Sequence, residues 1–255
     1  EGCAPLTVQM PNLQLGFGLT YQWTLGDGTV SGNTAPLVTY QAGTYAVSLT
    51  VTTAIGCSST TPSAGQVIAY ASPTAAFTAS AWTVDYDNAN IHFTDQSSGN
   101  IATWDWTFGD GGTSSVNNPT HQFYDVGTFD VSLFVTDIHG CTGSVDHVVT
   151  ITPVYDVVIP TAFTPNTNGG NGGYYDPNDL NNDIFYAFSR FVEDYRMRIF
   201  NRWGELVFES TDLRIGWDGY YRGQLSPQDV YVVQSWFRFI DGKQVQKLTD
   251  LTLFR

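Results

Sequence analysis

The chain has 255 residues and 28.0 kDa, enough for two or three domains that each bury a core, so a single small peptide-like fold is excluded. Only 13% of residues are charged while 15% are aromatic, with 25 Gly and 11 Pro; against roughly 25% charge in an average soluble protein, this favours β-structure with tight turns over helical bundles. The net charge of −14 is divided unevenly, because 15 of the 24 carboxylates and none of the ten Lys and Arg precede Arg190, which speaks against binding of nucleic acid or an anionic membrane surface through that part.

Glu occurs only at positions 1, 193, 205 and 209, so the acids are nearly all Asp. Asp forms turns and is also a hard oxygen ligand for divalent cations such as calcium, turns being the commoner use. No run of 18 apolar residues is present, so no helical membrane span is expected. The chain opens Glu1-Gly2-Cys3 without an initiator Met or a secretory leader, which suggests a fragment or processed form of something longer.

Along the chain, the first signal is an internal repeat. Tyr21-Gln22-Trp23-Thr24-Leu25-Gly26-Asp27-Gly28 returns 83 residues later as Trp104-Asp105-Trp106-Thr107-Phe108-Gly109-Asp110-Gly111. Tyr40-Gln41-Ala42-Gly43-Thr44-Tyr45 and Ile55-Gly56-Cys57 return 84 residues later as Tyr124-Asp125-Val126-Gly127-Thr128-Phe129 and His139-Gly140-Cys141. Two copies of one domain follow, each near the size of an immunoglobulin-like sandwich. Tyr45, Val47, Leu49 and Val51 alternate with small or polar residues, as do Phe129, Val131, Leu133 and Val135, which predicts half-buried strands. The Gly-Asp-Gly steps are hairpin ends, and Trp23 and Trp106 are expected in the cores.

At these blocks the chain resembles the polycystic-kidney-disease (PKD) domain family. Its Trp-x-Phe-Gly-Asp-Gly block is matched letter for letter by Trp106 to Gly111, and the first copy departs only at Leu25. The resemblance covers residues 1 to 153 and implies an extracellular spacer or adhesion module, not catalysis. Cys3 precedes the first strand and Cys57 follows the Tyr45 to Val51 strand, so a Cys3–Cys57 disulfide is expected, with Cys141 buried and unpaired; three inert thiols are the alternative.

After the repeats, Pro153 to Pro160 reads as a short strand leading into a Gly- and Asn-rich loop. Tyr195, Met197 and Ile199 alternate with Arg196 and Arg198, a turn follows at Asn201-Arg202-Trp203-Gly204, and Leu206-Val207-Phe208 is the return strand. A second hairpin runs from Val230 through Asp241-Gly242 to Val245, and Leu251 to Arg255 is a last strand. The expected fold is all-β, three tandem immunoglobulin-like β-sandwich domains at 1–70, 71–153 and 154–255.

Phe163-Thr164-Pro165-Asn166, Asn182-Asp183-Ile184-Phe185, Ile199 to Glu209, Gly216-Trp217-Asp218-Gly219, Val230-Tyr231 and Asp241-Gly242 occur in the order of the gliding-motility-associated C-terminal domain. The last hundred residues thus resemble the type B sorting signal of the Bacteroidota type IX secretion system. That resemblance implies export through the periplasm to the cell surface or medium. The implied partners are an outer-membrane translocon and an associated outer-membrane β-barrel protein for type B cargo. The candidate recognition residues are Arg196, Arg198, Asn201, Arg202, Trp203, Gly204, Trp217, Asp218 and Gly219; the alternation places Arg196, Arg198 and Arg202 in an exposed basic stripe beside Trp203, for which a plug in the core is the alternative.

One departure is a longer insert after Asn166 where the family has a short acidic loop. Asn166, Asp176, Asp179, Asn182 and Asp183 supply oxygen ligands there, so calcium is a candidate cofactor, with a solvated Asx-turn loop as the alternative. No nucleophile elbow, P-loop or His-Glu-x-x-His motif occurs, and His92, His121, His139 and His147 lack metal spacing, so no enzymatic activity is expected. The leading reading is an adhesin-like surface protein, monomeric, with spacer domains and a secretion signal. The alternative is a calcium-dependent module binding a surface glycan or protein through exposed Trp and Tyr faces.

Overall fold

A computed structural model describes residues 1–12, 16, 18–174 and 182–255, with backbone alone at 62–64. The architecture is all-β: besides one short 3-10 turn at Tyr86–Asn88, the named elements are strands. Two units are distinguished, Glu1–Thr83 with Ala89–Phe123 and Gly127–Thr150, and Val84–Asn88 with Tyr124–Val126 and Ile151–Arg255.

The repeats build two sandwiches of one topology. The first contains β1 (Gly2–Cys3), β2 (Leu6–Gln9), β3 (Leu19–Thr24), β4 (Val30–Ser31), β5 (Leu37–Tyr40), β6 (Gly43–Thr53) and β7 (Ser58–Tyr70), ordered β1-β7-β6-β3-β4 with β2-β5 as the second layer. The second contains β8 (Phe77–Ala79), β9 (Thr83–Asp85), β10 (Asn90–Asp95), β11 (Ile101–Thr107), β12 (Thr113–Ser114), β13 (Thr120–Gln122), β14 (Gly127–Asp137) and β15 (Thr142–Thr152), ordered β12-β11-β14-β15-β9 with β13-β10-β8 opposite. The period-two pattern does what it predicts: Val131, Leu133 and Val135 point into the core from β14 while Asp130 and Phe134 point out. Trp23 and Trp106 are the buried centres of the two cores. The Trp106 indole donates to the Val116 carbonyl at 2.9 Å, whereas the Trp23 indole N–H has no acceptor.

The disulfide corrects the cysteine expectation: Cys3 is bonded to Cys141, with Cα atoms 5.4 Å apart, and Cys57 is an exposed free thiol. The reason is strand direction. Cys3 lies in parallel register with Tyr70, at the last residue of β7, while Cys57 immediately precedes the first residue of β7. Twelve residue steps at about 3.3 Å each separate these ends by roughly 40 Å, and no disulfide spans that. Cys141 is buried as expected, but as the partner of Cys3.

The second unit contains β16 (Val157–Val158), β17 (Ala162–Phe163), β18 (Phe188–Ser189), β19 (Val192–Phe200), β20 (Leu206–Ser210), β21 (Tyr220–Tyr221), β22 (Gln224–Leu225), β23 (Val230–Phe239) and β24 (Gln244–Leu253). Its main sheet has the order β17-β24-β23-β19-β20, beside the short ladders β16-β18 and β21-β22. The return arm of the second hairpin and the terminal strand, read separately in the sequence, are one continuous β24 paired with β23 from Val230↔Thr252 to Arg238↔Gln244. One face buries Tyr195, Met197, Ile199, Tyr231, Val233 and Phe237 against Phe163, Phe185 and Trp217.

Candidate functional site

The β19–β20 hairpin is built by its alternation. Tyr195, Met197 and Ile199 enter the core, so Arg196 and Arg198 must face outward. Burial pushes the Tyr195 phenol well above its ordinary value. The two arginines converge on one carboxylate, with Nε atoms 2.7 and 2.9 Å from Glu209 Oε1. Bonds from Arg198 and then Arg196 hold Glu209 below the usual carboxylate range. On the same face Arg238 pairs with Glu193 at 2.6 Å and also with Asp194. The expected basic stripe is therefore a charge-balanced face: Arg196, Arg198 and Arg238 stand against Glu193, Asp194 and Glu209.

The hairpin tip is organised by Asn201. Its Oδ1 accepts the amides of Trp203 and Glu205, both at 3.0 Å, and its Nδ2 donates to Glu205 Oε2 at 3.2 Å. Gly204, at φ +78°, donates to the Asn201 carbonyl at 2.9 Å; the left-handed conformation explains why glycine follows Trp203. This scaffold projects Trp203 outward, 83% exposed, with the Arg202 guanidinium 5.6 Å from its ring centroid. The Arg202 Nε lies 3.0 Å from Asp229.

Gly216-Trp217-Asp218-Gly219 has the opposite destiny. Trp217 is fully buried and donates its indole N–H to the Tyr220 carbonyl at 3.0 Å. Its backbone exchanges two 2.8 Å bonds with Phe185. Asp218 Oδ1 accepts the Tyr220 amide at 3.0 Å, and a Cβ on Gly219, at φ +82°, would lie 2.4 Å from Pro165 Cβ. These residues make the core and a tight turn; the tip residues make a surface.

A residue absent from the expected set is Trp236 on β23, opposite Arg196 in the ladder. Its indole N–H donates to Gln244 Oε1 at 3.3 Å. With Glu193, Arg196, Arg198, Gln234 and Gln246 it lines a groove of about 690 Å³ on the charge-balanced face. The signal was available in the alternation of β23, where Tyr231, Val233, Ser235 and Phe237 face inward and leave Trp236 on the outer side.

Of the candidate calcium ligands, Asp176 and Asp179 lie outside the described residues. Asn166 uses its side-chain oxygen in an Asx turn to the Asn168 amide at 2.9 Å and its carbonyl for the Tyr220 hydroxyl at 3.0 Å. Asn182 offers its carbonyl to the Thr164 amide, and Asp183 takes a 3.4 Å bond from Asn171. Among the described residues no three His, Cys, Asp or Glu gather into a metal-binding group. The tryptophans of the repeats form no exposed row: Trp23 and Trp106 are buried, Trp104 bonds Asp95 at 2.7 Å, and Trp82 rests against Phe77 and His147.

Comparison with known proteins agrees with this division of the chain. Residues 4–67 and 70–153 each match the PKD domain, and residues 157–247 match the CHU_C type IX secretion signal domain. A microbial collagenase of Vibrio alginolyticus is 47% identical over 53 residues, which are 21% of this chain and 6% of that protein; the chain thus spans only a small part of that relative's length. Among solved structures, the PKD1 domain of the Vibrio cholerae metalloprotease PrtV is 28% identical, covering 31% of this chain and 96% of that one with a TM-score of 0.28. A tetra-tandem repeat from the extending region of a large adhesion protein is 12% identical, covering 92% and 66% with a TM-score of 0.35.

Proposed function

We propose that this chain, which belongs to the PKD domain family and carries a type IX secretion signal domain at residues 157–247, is the spacer and delivery region of an adhesin-like surface protein. The signal directs export to the cell surface or extracellular space. In this reading the repeats contribute length and an acidic surface, with no chemistry of their own. The Arg202–Trp203 tip and the adjoining Arg196, Arg198 and Trp236 face are what the outer-membrane translocon and its β-barrel partner grip.

The single observation that carries the reading is the hairpin tip. A Trp held out by a rigid Asn201 turn, 83% exposed within the segment that matches the secretion signal, costs apolar surface in water and contributes nothing to the core. Exposed aromatic and Arg side chains of this kind are the usual anchors of protein interfaces. The test is a periplasm-exported reporter joined ahead of residues 1–255 in a type IX-competent host. Trp203→Ala is expected to lower surface delivery about tenfold with the melting temperature unchanged. Equal delivery in a strain lacking the translocon would refute the secretion reading, and full delivery by Trp203→Ala would refute the role of the tip alone.

A further inference from the structure

The turns Thr53 to Cys57 and Asp137 to Cys141 are one structure used twice. In each, the first residue's amide donates to the cysteine carbonyl at 2.9 Å, and a glycine at φ +87° or +82° donates back to the first residue's carbonyl at 2.9 or 3.0 Å. The first residue's side-chain oxygen accepts the cysteine amide, at 3.1 Å for Thr53 Oγ1 and 2.8 Å for Asp137 Oδ1. The second turn is occupied. Cys141 is bonded to Cys3, and the His139 ring stacks on Tyr70 with centroids 3.6 Å apart. Both partners belong to the preceding sandwich, one in its leading strand β1 and one at the end of its last strand β7. The first turn presents the same two positions bare: Cys57 is an exposed free thiol, and Ile55, in the place of His139, is 87% exposed.

We propose that the Cys57 turn docks a further sandwich of the same kind, ahead of residue 1, whose leading-strand cysteine bonds Cys57 and whose last strand lays an apolar or ring side chain on Ile55. The bond forms by exchange with a dithiol–disulfide oxidoreductase. The Cys57 thiolate attacks the oxidant's disulfide and releases one of its sulfurs, and the partner thiolate then displaces the other sulfur from Cys57. The two cysteines lose two protons and two electrons, and the oxidant's disulfide becomes a dithiol. Repeated along an array, the same clasp joins each sandwich to the next.

The test is disulfide mapping of the full protein recovered from its host after maleimide blocking, with chymotryptic peptides read before and after reduction. Expected is a Cys57 peptide cross-linked to a peptide from an upstream repeat, and in Cys57→Ser one additional maleimide adduct, on the cysteine left without its partner. A maleimide adduct on Cys57 itself, lost in Cys57→Ser with no new one gained, would overturn the proposal. A reducible dimer through Cys57 of two copies would overturn it equally.

Discussion

The two Gly-Asp-Gly turns use their aspartates differently. Asp27 Oδ1 accepts the Thr29 hydroxyl at 2.6 Å and amide at 2.9 Å, and these bonds hold its carboxyl below its ordinary value. Asp110 bonds the Gly112 amide at 2.8 Å and His121 Nε2 at 2.7 Å, and His121 stacks on Phe108 with centroids 4.0 Å apart. Partial burial pushes the Asp110 carboxyl up, but the bonds from His121 and Gly112 outweigh it and leave it below 3.8. A carboxyl lowered in the folded state stabilises above its unfolded value and loses that contribution as pH falls through the folded value. Asp110→Asn is therefore expected to destabilise the second repeat by about 1–3 kcal/mol at neutral pH. Urea melts repeated from pH 6 down to pH 2 should show the gap to wild type closing below pH 4; a gap constant with pH would refute the linkage. The same scale separates two tryptophans of one signal domain. Trp217→Ala should cost about 3–5 kcal/mol through the cavity it leaves, while Trp203→Ala should leave the melting curve in place. Both sit in Trp-Gly or Gly-Trp motifs, and nothing local in the sequence says which faces water; the Phe163, Phe185 and Tyr231 rings that surround Trp217 are remote in the chain.

At the scale of elements, alternation made the long strands legible. β6, β14, β19 and β23 each turn one set of residues inward at period two, with Tyr45, Val51 and Phe129 half-buried and Ser235 a polar member. Hairpin ends were legible through glycine, although the demand differs from one glycine to the next. Gly109 has φ +80°, and a Cβ there would stand 2.8 Å from the backbone N and O of Asp130; Gly111 has φ +94° with open space around it. Gly111→Ala should cost about 1 kcal/mol of backbone strain, and Gly109→Ala several times more, since β14 must move away from the turn. Comparison of their thermal melts checks this, and equal losses would mean that the close approach to Asp130 is relaxed at no cost. Charge pairing was less legible. Arg196 and Arg198 suggested a basic stripe because their balancing partner Glu209 lies on the neighbouring strand and Arg238 brings Glu193 and Asp194 into the same face. Cross-strand register decides those pairs, and it is invisible to a reading of one strand at a time.

Across the whole molecule, charge and covalent linkage set two expectations. Trypsin has no site before Arg190, so even the denatured and reduced chain should yield an intact fragment ending there, as mass spectrometry would show; a cut nearer the N-terminus would contradict the sequence itself. The Cys3–Cys141 bond closes a separation of 138 residues, which by chain-entropy reasoning is worth about 4–5 kcal/mol. Cys3→Ser should lower the melting transition of the repeats accordingly while leaving that of the signal domain unchanged; calorimetry resolves the two. The sequence by itself determined the all-β class, the internal duplication, the buried tryptophans and the turn glycines, because composition, period and spacing are local properties of the chain; the secretion signal was legible only through the resemblance of its motifs to a known family. Only the tertiary structure decided that Cys3 bonds Cys141 and not Cys57, that Trp203 is presented and Trp217 buried, and that the arginine face is neutral. Each of these depends on which distant residues meet, and that follows from strand direction and register once the sheets have formed.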